Sequence, residues 1–491
     1  MVRTVDGPTD RVLIVGAGLG GLACALHLAA AGREVTVLER EPVPGGRAGR
    51  LHVDGYEFDT GPVVLTMPDV MAEAVGAVGE DLADWLELRP VDPAYRAHFA
   101  DGSTLDVIAD PPRMAVEVAR VCGQPEADRY LRFVDHLRRL WTLERRDFIE
   151  RNLDSPRELL TGNLLRLLAA GGFGRLQRKV DRFLRDPRTR KVFSFQALYA
   201  GVAPQDALGL YAVIAYLDAV AGVYFPRGGV HALPRALAAV AAKHGVRFRY
   251  GTTVSGVDIE GGRATGVRTA EGERIPADVV VLNPDLPTAY RDLLGETPRR
   301  TVPSPSAVVL HVGSTRRYRH IAHHNLHFGR SWRGTFDELI RQRRLMSDPS
   351  LLVSNPTPAD PSLAPPDRQV YYVLAPVPNL TAAYDWRGEL AQRYSDELVA
   401  TLEDRGYPGF ADGIEVFRTV TPADWADAGM AAGTPFAAAH TLRQTGPFRP
   451  RNLHSRLSNV VFVGSGTQPG VGVPMVLISG KLAAQRITGR R

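Results

Sequence analysis

The sequence predicts an α/β protein. Three observations lead there. An apolar run, Val12–Val15, is followed at once by a glycine-rich turn and a helix-forming stretch. A second β-branched run, Val35–Leu38, comes at the spacing of a βαβ unit. The far end of the chain, over 459–488, repeats strand, glycine turn and helix.

Size and composition bound the rest. At roughly 100–200 residues per domain, 491 residues make two to four domains. A chain that is 44% hydrophobic and 23% charged is an ordinary globular one. Two cysteines, Cys24 and Cys122, exclude a disulfide framework and a cysteine-based zinc site, and a reducing compartment is the simplest reading. A net charge of +5 is too small to indicate nucleic acid as a partner. The charge is uneven, however: 129–191 holds 17 basic and 8 acidic side chains.

Val12–Val15 suits a parallel strand buried on both faces. Gly20–Ala31 carries helix formers, and Gly32 stands where a C-cap belongs. The apolar stretch Val12–Gly32 has the look of a secretory leader. A leader does not explain why Val35–Glu39 follows at βαβ distance. From Pro111 to Lys191 the pattern is largely helical, with Leu and Arg interleaved and an apolar stripe through Leu160, Leu164, Leu167 and Leu168. Pro156, Pro187 and Gly171–Gly172 break it. Ala207–Phe225 has one charge in 19 residues, Asp218, and reads as a buried or interface-seated helix rather than a membrane span. Strands are expected at Val246–Tyr250, Thr253–Ile259, Ala277–Leu282 and Val460–Val463. Pro303–Pro378 is strand- and proline-rich, and a last helix starts near Pro474.

Gly16, Gly18 and Gly21 form G-x-G-x-x-G between the first strand and the first helix. The first glycine permits the tight turn, the second lets backbone approach a pyrophosphate, and the third lets helix and strand pack. The helix start offers free N–H groups to phosphate. Glu39, at the end of the second strand, is placed to accept hydrogen bonds from ribose hydroxyls. His27, on this helix, reads as a surface or packing residue. Gly45-Gly46-Arg47 presents a guanidinium whose fork of donors suits a pyrophosphate, and its nearness to the first motif favours that role over an exposed arginine on an ordinary turn. Gly464–Pro474 is a second glycine-rich turn before a helix. By spacing alone it is a plain connection. Paired with the first motif it suggests one cofactor held from both chain ends.

These pieces, with Phe58-Asp59-Thr60-Gly61-Pro62, YFPRGG (224–229), NPDLPTAYRDLL (283–294), AHHNLHFG (322–329), DPSLLVSNPTPADPSLAPP (348–366) and YYVLAPVPNL (371–380), resemble the bacterial and fungal FAD-dependent carotenoid (phytoene) desaturase family from end to end. The opening motifs are shared with many flavoproteins; those from Ala322 to Leu380 and the C-terminal turn are more specific. The resemblance implies a Rossmann-like FAD-binding domain discontinuous over 1–65, 226–300 and 455–491. It implies a mixed-sheet substrate domain over 66–110 and 301–454, and a helical, membrane-facing subdomain over 111–225. It places FAD against Gly16, Gly18, Gly21, Glu39, Arg40, Gly46, Arg47, Thr60, Gly61, Pro62, Val254 and Asn283. It lays the flavin along Gly464, Gly466, Gly470, Val471, Gly472 and Pro474. The implied substrate is an apolar polyene in carotenoid biosynthesis, and the implied location is peripheral, on the cytoplasmic face of the cell membrane. The terminal electron acceptor and any catalytic acid or base stay unidentified.

Relatives read GTHPG where this chain has Gly466-Thr467-Gln468-Pro469-Gly470, so a role for histidine there does not carry over. They have glycine where Met475 stands; Met475 shapes the channel or merely packs. An apolar substrate must be gripped by burial, worth ~25 cal/mol per Å², and collected from a membrane. The basic 129–191 region suits an anionic lipid surface or is simply a solvated helical face. His320, His324 and His327 would share a face if helical, but Asn325 and Gly329 argue against a helix and hence against a metal site. Asp218 reads as a carboxylate paired with a buried arginine or lying on a helix surface, in preference to an acid–base group beside the polyene. The rival functions are a desaturase or isomerase for a C30 or hydroxylated polyene, a flavin amine oxidase, and a carotenoid carrier.

Overall fold

The computed structural model describes residues 3–490. A five-stranded parallel sheet forms in the order Val460–Phe462, Val279–Leu282, Arg11–Val15, Glu34–Leu38, Arg247–Arg249. Its strands come from the start, the middle and the end of the chain. Side chains alternate across a strand, and the first strand uses both faces. Val12 and Ile14 pack into a cluster with the helices Leu19–Ala30, Ala232–Lys243 and Val473–Thr488. Leu13 and Val15 pack against Val267, Ala264 and Leu294 on the opposite face. That face is covered by an antiparallel sheet of Val254–Glu260, Arg263–Thr269 and Arg274–Pro276. The middle strand of this sheet has no counterpart among the expected elements, because its alternation is interrupted by Gly266 and two arginines.

A second sheet has seven strands: Ile414–Val420, Ser306–Ser314, Gln369–Val377, Leu351–Ser354, His324–His327, Tyr95–His98, Thr104–Val107. It is mixed. His324–His327 runs parallel to Tyr95–His98, and the other pairs are antiparallel. Helices Pro111–Cys122, Gln124–Glu144, Gly162–Ala169 and Leu176–Phe183 lie between the strand Thr104–Val107 and the short helix Ala212–Ala219 in sequence, and share one apolar cluster with both and with Tyr95–His98.

Two expectations are corrected, and the reading of the histidine stretch as non-helical holds. Ala207–Phe225 is not one helix: a 3₁₀ turn, the eight-residue helix Ala212–Ala219 and the strand Tyr224–Pro226 divide it, and Gly222, at φ +107°, makes the break. Among the described residues no helix is long and apolar enough to cross a membrane. The histidines share no helix face, because 324–327 is a strand, where an odd spacing sends His324 and His327 to opposite faces. His324 hydrogen-bonds Ser354 Oγ and His327 the Tyr407 hydroxyl, and burial pushes both rings well below their ordinary range. Finally, Asp218 is buried off the surface and, among the described residues, pairs with no arginine.

Candidate functional site

The glycine turns of the two chain ends are in contact. A Cβ on Gly20 would lie 3.0 Å from the Gly464 amide nitrogen, and one on Gly480 would lie 2.5 Å from the Gly20 carbonyl oxygen. Only glycines let the helices Leu19–Ala30 and Val473–Thr488 approach this closely. Asn283 sits beneath the first turn and donates from Nδ2 to the Gly16 carbonyl at 3.2 Å. A Cβ on Gly18 would meet that nitrogen at 2.7 Å, and one on Gly21 would meet the Gly16 carbonyl oxygen at 2.4 Å. The Gly45 amide donates to the Ala17 carbonyl, so the turn at 45–47 abuts the turn at 16–18.

One cavity of about 1120 Å³ runs along these turns. Every residue the resemblance places against FAD lines it, except Gly21 and Gly470. Those two act behind the wall, Gly21 against Gly16 and Gly470 against the His440 ring. Glu39 is buried, and its two oxygens accept from the Ala17 amide at 2.6 Å and the Glu41 amide at 3.0 Å. It therefore stiffens the turn as well as facing the cavity, and a carboxylate retains further lone pairs for a ribose. Arg40 donates to the Ala428 carbonyl. Arg47 does not stand on an exposed turn. It donates to Asp285 Oδ1, to Ser465 Oγ and to the Pro435 carbonyl, tying three distant segments together at the cavity wall.

Sequence reasoning missed Asp285 and Arg449. Asp285 lay in plain view within NPDLPTAYRDLL. Arg449 carries no motif signal. It is fully buried and donates to the carbonyls of Ser465 at 2.6 Å and Thr467 at 2.9 Å, clamping the C-terminal turn from beneath. Gln468, where relatives carry histidine, is also a clamp. Its Nε2 donates to the carbonyls of Leu153 and Gly446, and its Oε1 accepts from the Leu153 amide. Met475 lines the cavity.

Away from the turns the lining changes to hydrocarbon and aromatic rings: Val63, Val64, Val213, Ile214, Leu217, Val309, Leu352, Leu374, Tyr372, Trp425, Phe436. The residues fit a flavin dinucleotide. Both helices that open on the cavity, Leu19–Ala30 and Val473–Thr488, start without a side-chain cap and without an acidic residue in the first turn. Their N–H groups and positive dipole ends are left for phosphate and for an electron-rich ring edge.

The comparisons agree. The model of the family described as "Flavin containing amine oxidoreductase" matches residues 19–488. A protein of Streptomyces griseus named phytoene dehydrogenase is 57% identical over 99% of this chain and 97% of its own. The chain belongs to the flavin-containing amine oxidoreductases, within their phytoene desaturase branch. It is an FAD-dependent oxidoreductase. A zeta-carotene-forming phytoene desaturase of Myxococcus xanthus is 39% identical over 97% of this chain and 93% of that one. Among solved structures, putrescine oxidase bound to putrescine aligns with a TM-score of 0.63 at 16% identity, over 98% of this chain and 99% of that chain. Cyclohexylamine oxidase from Brevibacterium oxydans gives 0.61 at 16%, with the same coverage. These two show the shared fold.

Proposed function

We propose that this enzyme is a phytoene desaturase that inserts carbon–carbon double bonds into an apolar polyene of carotenoid biosynthesis. The observation that carries the reading is the change of lining within one cavity, from glycine turns and helix starts at one end to hydrocarbon and rings at the other. FAD, when bound, supplies the two-electron acceptor for hydride. The chain supplies the rest: glycine turns for the pyrophosphate and flavin, and Val63, Ile214, Leu217, Leu374 and Trp425 as walls that align an unfunctionalised chain and exclude water. Relatives named for phytoene and zeta-carotene chemistry support the substrate class. We read the chain as the three-part organisation set out above, with FAD held by the residues named there.

We further propose that the enzyme works on the cytoplasmic face of the membrane. On the helix Gly162–Ala169 and just before it, Leu160 is 77% exposed, Leu165 69% and Leu168 50%. Arg157, Arg166, Arg175 and Arg178 are exposed beside them in sequence. Leu159, Phe173, Leu442 and Phe448 line the cavity and also reach solvent, so the apolar surface is continuous with the substrate passage. Leucines in the interface and arginines on anionic headgroups suit that placement.

The test is anaerobic incubation of the FAD-loaded enzyme with phytoene in anionic liposomes, followed by flavin bleaching and product chromophore length. Bleaching with a longer polyene is expected. Bleaching by a primary amine but not by phytoene overturns the reading in favour of an amine oxidase. Reaction only with a C30 or hydroxylated polyene shifts the substrate within the family.

A further inference from the structure

The apolar half of the cavity contains two carboxyl groups, Asp218 and Glu144. Both are buried. Neither is in an ion pair among the described residues. Glu144 closes the long helix Gln124–Glu144, and the Lys179 ammonium is the charge nearest to it in effect.

Asp218 is placed differently. It lies on the helix Ala212–Ala219, where Val213, Ile214, Leu217 and Asp218 all line the cavity. Ile214 and Asp218 are one turn apart, so the carboxyl continues the apolar stripe. A polyene laid along that stripe meets one polar group. The carboxyl is held from behind by Gln196 Nε2 at 3.3 Å and the Tyr95 hydroxyl at 3.4 Å. These contacts are long beside the 2.5–2.9 Å usual for a hydrogen bond to an ionised partner. They orient the group while leaving lone pairs for another proton.

We propose that Asp218 is the proton acceptor of the desaturation, taking the proton from the carbon next to the one that loses hydride. The inference rests on the desaturase reading. The step balances. One C–H bond breaks with its electron pair, which leaves as hydride for the oxidised flavin. The neighbouring C–H bond breaks heterolytically; its electron pair becomes the new C=C bond, and its proton forms an O–H bond on Asp218. Water takes that proton after release of product. A carboxylate in a dry cavity also stabilises positive charge developing on the polyene.

The surroundings suit the role. The titratable groups facing Asp218 are the phenols of Tyr95 and Tyr199, both pushed up by burial and neutral. Behind Tyr95 stands the His324 ring, pushed well down and neutral. Glu144 comes from the helix packed on Ala212–Ala219, and burial pushes its carboxyl well up. Among the described residues no cation pairs with the group to hold it ionised. Burial raises the Asp218 carboxyl to about 8, against hydrogen bonds from Gln196 and Tyr95 that lower it. Such a group is a stronger base than a free carboxylate near 3.9, and is poised close to working pH.

The experiment uses the FAD-loaded enzyme in phytoene liposomes. Anaerobic flavin bleaching is followed between about pH 6 and pH 10 for the wild type, Asp218→Asn and Asp218→Glu. The wild-type rate is expected to rise about tenfold per pH unit and level off near pH 8. Asp218→Asn is expected to be slower by ~10²–10⁴-fold and flat in pH, with FAD content and polyene uptake retained. Asp218→Glu keeps a pH-dependent rise. A second readout needs no turnover: the infrared carbonyl band of a protonated acid, titrating near pH 8 in the wild type and missing from Asp218→Asn. An Asn variant within threefold of wild type with the same pH limb overturns the inference alone, as does a wild type without that band. A wild type that never bleaches with phytoene overturns the desaturase reading and this inference together.

Discussion

Arg47 and Asp285 meet side chain to side chain at the cavity wall, with Nη2 2.5 Å from Oδ1. The carboxylate is 4% exposed and also accepts from the Ala431 amide, so it ties the 45–47 turn to two further loops. Arg47→Met removes the cation and leaves a buried carboxylate unpaired, a loss worth roughly 3 kcal/mol. The variant is expected to unfold at lower urea and to lose flavin on desalting. Adding Asp285→Asn should restore part of the stability, because the uncompensated charge is gone. A single variant that keeps both its urea midpoint and its flavin would show that the pair is not structural.

Gln468 joins the C-terminal turn to Leu153, 315 residues earlier, through the amide and the carbonyl of one residue. Imidazole in one tautomer offers one donor and one acceptor, so Gln468→His cannot make all three bonds of the amide. Loss of one buried bond costs about 1 kcal/mol. Gln468→Ala, which strands buried backbone groups, costs about 1–3 kcal/mol for each. Limited trypsin digestion provides the measurement: cleavage at Arg151 and Arg157 should accelerate in the order wild type, His, Ala. Equal rates in all three would remove the clamp from the account.

The βαβ opening was legible because local signals coincide there. A strand buried on both faces, three glycines and a terminal carboxylate each have a short-range cause, and the chain folds as they dictate. The junction of the two chain ends was legible only as pairing of motifs; the physical cause, Gly480 against Gly20, is a contact between helices that no local pattern encodes. Asp218 was misread for a related reason. A lone charge in an apolar run ordinarily has a partner, and the lack of one is a property of tertiary packing. Arg449 was invisible since its acceptors are carbonyls, which every residue carries.

Asp59, in the Phe58–Pro62 motif, accepts from the amides of Val230 and His231 just before the helix Ala232–Lys243. Burial raises its carboxyl to about 6, while those amides pull it down. In the unfolded chain the group titrates near 3.9. The folded protein therefore holds this proton more tightly, and the resulting stability is complete below about pH 4. It is lost as pH rises through about 6, on the order of 3 kcal/mol in all. Asp59→Asn has no charge to bury. Its thermal midpoint should match wild type near pH 4 and rise above it toward pH 7. Parallel pH profiles for the two proteins would place the titration elsewhere.

The exposed leucines at 160, 165 and 168 make a quantitative prediction about lipid. Burying one leucine fully is worth ~1.5–3 kcal/mol, and an interfacial seat recovers only part of that. Replacing all three by Gln should lower partition onto anionic vesicles at least about tenfold, since tenfold corresponds to only ~1.4 kcal/mol. The arginines contribute separately, at ~1 kcal/mol each near a charged surface, and that share is screened by salt. Sedimentation with vesicles should therefore separate the two contributions: the leucine variant keeps the salt dependence of the wild type with weaker binding, whereas Arg157, Arg166 and Arg178 changed to Gln flatten it. Flavin bleaching with polyene dissolved in detergent should be unaltered in the leucine variant, because Leu160, Leu165 and Leu168 do not line the cavity. Unchanged vesicle binding in both variants would mean that another face of the protein meets the membrane.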